Sequence, residues 1–129
     1  MLKEPILKSK LPLLGIIEAG FATPAEENNL DQISIDDWLI KDRSASFMLK
    51  VRSNSMQNAG ICIGDYLIVE RTNEARPGNI VIVDKDGSWT MKYFRKDSEG
   101  YYLESPDNDV LLRDEISISA VVKGVIRKY

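Results

Sequence analysis

The stretch Ile80-Val81-Ile82-Val83-Asp84-Lys85-Asp86-Gly87-Ser88-Trp89-Thr90-Met91-Lys92-Tyr93-Phe94 decides the fold. It opens on a β-branched run of the kind that favours strands. Asp86-Gly87 then stands between two strand patterns. This predicts a type I′ hairpin, because both central positions of that turn need positive φ. On the return strand Trp89, Met91 and Tyr93 share one face, and Thr90, Lys92 and Phe94 share the other. A lysine in such an aromatic-rich strand ordinarily snorkels to solvent. Buried instead, it loses part of the hydration that favours its charged form, and the amine becomes usable as a base.

The same grammar extends outward from the hairpin. Upstream, Phe47, Leu49 and Val51 alternate with Met48, Lys50 and Arg52, as in a half-buried strand. Ser53-Asn54-Ser55 breaks that strand, and Tyr66-Leu67-Ile68-Val69 is the next β-favouring run. Residues 35–40 predict a short helical turn with Ser34 as its N-cap. Downstream, Tyr101-Tyr102-Leu103-Glu104 is a strand and Ser105-Pro106-Asp107-Asn108 a turn. Residues 116–126 form one or two more strands, with Gly124 as a bulge. Short strands separated by turns predict a mainly β fold: a distorted sandwich or barrel of short antiparallel strands with an extended N-terminal arm. The expected division is an arm over residues 1–30 and a β-rich catalytic and dimerisation domain over residues 31–129.

Composition removes several classes of chemistry. The 129 residues include no histidine and a single cysteine, Cys62. Ser-His-Asp catalysis, His-activated cysteine chemistry, His-containing zinc sites and an intramolecular disulfide are therefore excluded. Cys62, between Ile61 and Ile63, reads as a small buried hydrophobe. The net charge of −3 and the lack of a dense cationic run argue against direct, sequence-specific DNA binding. The apolar stretch Leu11-Pro12-Leu13-Leu14-Gly15-Ile16-Ile17 is too short to span a bilayer. The expectation is a cytoplasmic protein with no cofactor, no metal and no membrane association.

Three features remain that carry chemistry. Ser55 sits at a strand break, where a nucleophile is exposed on a rigid edge and nearby backbone N–H groups are free to stabilise an oxyanion. Lys92 is the candidate base. In the arm, Glu18-Ala19-Gly20-Phe21 contains a small residue followed by glycine, sterically open to a nucleophile. The bland readings are a turn serine, a snorkelling lysine and a flexible linker.

In order, these residues resemble the LexA/UmuD family of self-cleaving serine peptidases. Ala19-Gly20 is similar to the family's scissile bond, and Phe21-Ala22-Thr23-Pro24-Ala25 to the segment after it. Ser55-Met56 resembles the nucleophile motif. Gly64-Asp65-Tyr66-Leu67-Ile68-Val69-Glu70 resembles the following strand. Pro77-Gly78-Asn79-Ile80-Val81, with residues 86–92, resembles the hairpin ending in the catalytic lysine. Ser55 lies 36 residues after Ala19, and Lys92 lies 37 after Ser55. Ser53-Asn54 departs from the family's commoner Gly-Asp or Gly-Met.

The resemblance implies a Ser-Lys dyad, Ser55 and Lys92, cutting the chain's own Ala19–Gly20 bond, with the backbone of Asn54 and Ser55 as oxyanion donors. It also implies a homodimer and activation by a recombinase filament on single-stranded DNA during the SOS response. Nineteen residues ahead of the cut match the UmuD-like branch, whose trimmed form is an accessory to an error-prone DNA polymerase. The alternatives are the C-terminal self-cleavage and dimerisation domain of a LexA-like or phage repressor, and a non-enzymatic dimeric interaction module. A signal-peptidase-like enzyme would share the dyad but needs a membrane span.

Overall fold

The computed structural model describes residues 10–18, 21–22, 31–106, 111–113 and 116–129. In chain order its elements are β1 (Lys10–Leu13), β2 (Ile17–Glu18), β3 (Phe21–Ala22), β4 (Asp31–Ser34), α1 (Ile35–Leu39), β5 (Ser46–Lys50), β6 (Tyr66–Glu70), β7 (Ile80–Lys85), β8 (Ser88–Asp97), β9 (Gly100–Glu104), β10 (Leu111–Leu112) and β11 (Ile118–Ile126). The chain divides into two compact units, Met1–Lys41 and Asp42–Tyr129.

In the first unit β1 and β4 pair antiparallel, with Lys10 opposite Ser34 and Leu13 opposite Asp31. Strands β2 and β3 form a second short ladder, Ile17 opposite Ala22 and Glu18 opposite Phe21. Helix α1 is the short turn expected after Ser34, whose hydroxyl accepts the Asp37 N–H at 3.4 Å. Asp36 and Asp37 lie in its first turn, where negative charge complements the helix dipole.

The second unit is built on one seven-stranded antiparallel sheet in the order β10-β9-β8-β7-β11-β6-β5. The C-terminal strand β11 is therefore interior. It pairs with β6 on one side and β7 on the other, and joins the two halves of the sheet. Its register shifts between Val122 and Gly124, where the sequence predicts a bulge. The hairpin between β7 and β8 turns at Asp86 (φ 54°) and Gly87 (φ 81°), the two positive values a type I′ turn requires.

Both faces of the sheet are covered, which explains why β7 reads as an unbroken apolar run. Ile82 and Ala120 face one cluster, with Val69, Leu67, Val51, Met56 and Ile61. Val81, Val83 and Val121 face the other, with Phe94 and Leu103. The sheet also curls. β5 and β8 are four places apart in the strand order, about 19 Å if the sheet were flat. Yet the Phe47 and Trp89 rings lie 5.5 Å apart. The mainly β class of distorted, antiparallel, partly barrel-like strands is the one the structure has.

Candidate active site

Beyond β5 the chain leaves the sheet for an irregular excursion over residues 52–63, closed at its base by Val51. The Val51 N–H donates to the Asp65 carbonyl at 2.8 Å, and its carbonyl accepts from the Gly64 N–H at 2.8 Å. Met56, next to Ser55, is fully buried. Its carbonyl accepts from Ala59 (2.9 Å) and Ile61 (3.2 Å). Ser55 is thus the half-buried neighbour of a core anchor.

The far end of the excursion is tied to Arg127, the residue just past β11. Asp65 is 1% exposed, and its carboxylate accepts Arg127 Nε at 2.7 Å and a second guanidinium nitrogen at 2.8 Å. It also accepts the Cys62 N–H at 2.8 Å. The Arg127 hydrogen bond first, and then that of Cys62, hold the Asp65 carboxyl down at about 2, against the desolvation that would raise it. Arg127 is pushed up by the same carboxylate. It further donates to the Gly60 carbonyl at 2.9 Å. Its guanidinium also lies 3.1 Å from Cys62 Sγ. Cys62 is half-buried beside this ion pair, so the buried apolar site expected from Ile61 and Ile63 is corrected: only Ile61 turns into the core.

Ser55 and Lys92 line one open cavity of about 530 Å³. Leu49, Val51, Leu67, Ile82 and Met91 make its apolar wall. Among the described residues, three cations, Lys50, Arg52 and Lys92, and no carboxylate contribute to its lining. Lys92 is half-buried, and its amine donates to Ser105 Oγ at 2.9 Å. Thr90 Oγ1, also on the cavity, is buried with no hydrogen-bond partner among the described residues. A smaller, polar cavity of about 330 Å³ adjoins it, sharing Ser53, Ser55 and Pro106 and adding Asn54, Gln57 and Asn58.

Of the backbone donors expected to stabilise an oxyanion, the Ser55 N–H is engaged by Ser53 Oγ at 3.1 Å. Ala19 and Gly20 lie outside the described residues. Sequence reasoning missed Ser105 and Thr90. The hairpin register contained the signal for Ser105: Tyr93 pairs with Glu104 and Phe94 with Leu103, so the next position faces Lys92. Among the described residues no group of three or more His, Cys, Asp or Glu is placed to hold a metal. No helix there is long and apolar enough to cross a membrane.

A serine at a strand break and a lysine in a hairpin strand thus line one cavity of a mainly β domain. Residues 12–124 match Peptidase S24-like, and the chain belongs to that family. It is 36% identical over 137 residues to a LexA repressor of Clostridium novyi (strain NT), covering 100% of this chain and 67% of the relative. A LexA repressor of Clostridium acetobutylicum is 33% identical over 135 residues, covering 100% of this chain and 66% of the relative. One of Aeromonas hydrophila is 38% identical over 133 residues, covering 97% and 63%. The chain spans about two thirds of the length of these relatives.

Proposed function

We propose that this chain is a self-cleaving serine peptidase domain of the DNA-damage response, with Ser55 as nucleophile, Lys92 as general base and Ala19–Gly20 as the bond cut. One observation carries the reading: Ser55 and Lys92, 37 residues apart in sequence, line the same cavity in a member of the Peptidase S24-like family.

The neutral Lys92 amine takes the Ser55 hydroxyl proton as Oγ attacks the Ala19 carbonyl. The tetrahedral oxyanion is stabilised by backbone N–H groups around Asn54 and Ser55. Its collapse breaks the Ala19 C–N bond, and the ammonium of Lys92 returns the proton to the leaving Gly20 amine. Water then hydrolyses the Ala19–Ser55 ester with Lys92 again as base, regenerating the serine and leaving a new carboxylate on Ala19. Tethering makes the attack intramolecular, so control rests on how often the arm is docked over an uncharged amine. A recombinase filament on single-stranded DNA acts on that population in the family this chain resembles, and the same activator and a homodimeric state are proposed here.

Two settings fit this chemistry. The repressor-type setting is supported by relatives that are LexA repressors, two thirds of whose length the chain spans. The other is a trimmed accessory to an error-prone DNA polymerase. Intact mass of the purified chain over time tests the shared chemistry: loss of residues 1–19, faster at alkaline pH, is expected. An unchanged mass after long incubation near pH 10, with and without the filament, would rule the reading out.

A further inference from the structure

We propose that Ser105 is the positioning residue for Lys92, the hydroxyl that sets the direction of the amine. The proposal rests on the reading of Lys92 as base and adds a residue to that site. The observation is the hydrogen bond from Lys92 Nζ to Ser105 Oγ at 2.9 Å. It is not a chance surface contact. Pairing of β8 with β9 runs from Asp97 opposite Gly100 to Tyr93 opposite Glu104, and one further step sets Ser105 opposite Lys92. Cross-strand neighbours of an antiparallel ladder point to the same face. Pro106 follows and has no N–H with which to extend the ladder. The strand therefore ends at Glu104, and Ser105, the next residue, meets the lysine.

Ser105 also lines the same cavity as Ser55. Among the described residues the cavity has no carboxylate that would hold the amine by charge; the other charged residues that line it, Lys50 and Arg52, are cations. Glu104, the nearest acid on β9, is paired with Arg95 at 3.2 Å. Among the described residues the amine has one hydrogen-bond acceptor, and it is neutral.

A neutral amine has two N–H bonds and one lone pair. Once one N–H is directed at Ser105 Oγ, the lone pair is confined to the remaining tetrahedral directions, which open into the cavity where the nucleophile stands. Without that acceptor the four-carbon stem and the amine rotate freely, and few orientations suit proton transfer.

The test follows residues 1–19 leaving the purified chain by intact mass, from neutral to alkaline pH. It compares the wild type with Ser55→Ala, Ser105→Ala, Ser105→Thr and, as a control on the exposed β8–β9 turn, Ser98→Ala. Ser105→Ala is expected to be about ten-fold slower at its alkaline plateau, the scale of one lost hydrogen bond. Ser105→Thr restores the rate, and Ser98→Ala matches the wild type. Should alanine at 105 fail to fold by circular dichroism, Ser105→Cys, close in shape and a weak acceptor, replaces it with the same expectation. A Ser105 variant that matches the wild type at every pH overturns the proposal. So does an alanine variant whose slow cleavage threonine at 105 does not rescue. In both of those cases Ser55→Ala remains uncut while the wild type cleaves. If the wild type itself never cleaves, the Ser-Lys reading fails and this proposal fails with it.

Discussion

Strand β8, which carries Lys92, is bonded to β7 from Ser88 to Tyr93 and to β9 from Tyr93 to Asp97. The excursion over residues 52–63, which carries Ser55, has no ladder. It is held by its base at Val51, by the burial of Met56 and by the Asp65–Arg127 pair. A ladder spreads its support over many equivalent bonds, and a loop concentrates it in a few. Backbone geometry at Lys92 should therefore tolerate changes in its neighbours, while that at Ser55 should depend on a few named contacts.

The largest expected effect concerns the chemistry that joins the two regions. Ser55→Ala and Lys92→Ala should each slow self-cleavage by ~10³-fold or more, read as persistence of the intact mass. Wild-type cleavage by Lys92→Ala would remove the ladder-borne residue from the mechanism.

Next comes the anchor of the loop. Met56→Ala should cost about 2–5 kcal/mol of stability in denaturant unfolding, since the side chain is fully buried. Lys96→Ala, exposed on β8, should stay within about 0.5 kcal/mol of the wild type. Equal losses at the two sites would erase the contrast.

A smaller effect sharpens it. Ser53 Oγ occupies the Ser55 N–H, a donor that the proposed oxyanion needs. Ser53→Ala frees that donor and should speed cleavage by up to about ten-fold, the worth of one competing hydrogen bond. A slower variant would show that the Ser53 contact supports the site.

The smallest effect is on stability against pH. The Arg127 hydrogen bond holds the folded Asp65 carboxyl at about 2, below the usual carboxylate range. As pH falls, the unfolded chain takes up this proton first, so the pair's contribution is complete above ~4 and is lost as pH falls through about 2. The melting temperature should decline over that window. Asp65→Asn should be less stable at neutral pH and show a shallower decline. A wild-type decline that asparagine leaves unchanged would take the pair out of the loop's support.

Much of the fold was legible because it is locally encoded. Asp86-Gly87 named its turn through φ, the alternation at residues 47–52 named β5, Ser34 named a helix start, and Gly124 named a bulge. The ladder between β1 and β4 was not legible, because Pro12 and the interrupted apolar pattern around it carry no strand period. The pairing of β11 between β6 and β7 is a choice among strands of similar composition, and no local residue records it. At the site, Ser55 and Lys92 were picked out by an ordered set of motifs. Ser105 and Thr90 were not, since hydroxyl residues near turns are common and their meaning comes from what they face.

By itself the sequence determined which chemistry was open to this protein: without histidine, a serine nucleophile requires another base, and Lys92 stands in a hairpin strand. It also determined the β class, because turn residues and side-chain alternation act over a few positions. The tertiary structure alone decided that Ser55 and Lys92 open on one cavity, that Asp65 meets Arg127, and that the amine rests on Ser105. Those contacts depend on how the sheet curls and which strands lie in its interior. Such outcomes sum many weak interactions over the whole domain, and no short stretch of chain specifies them.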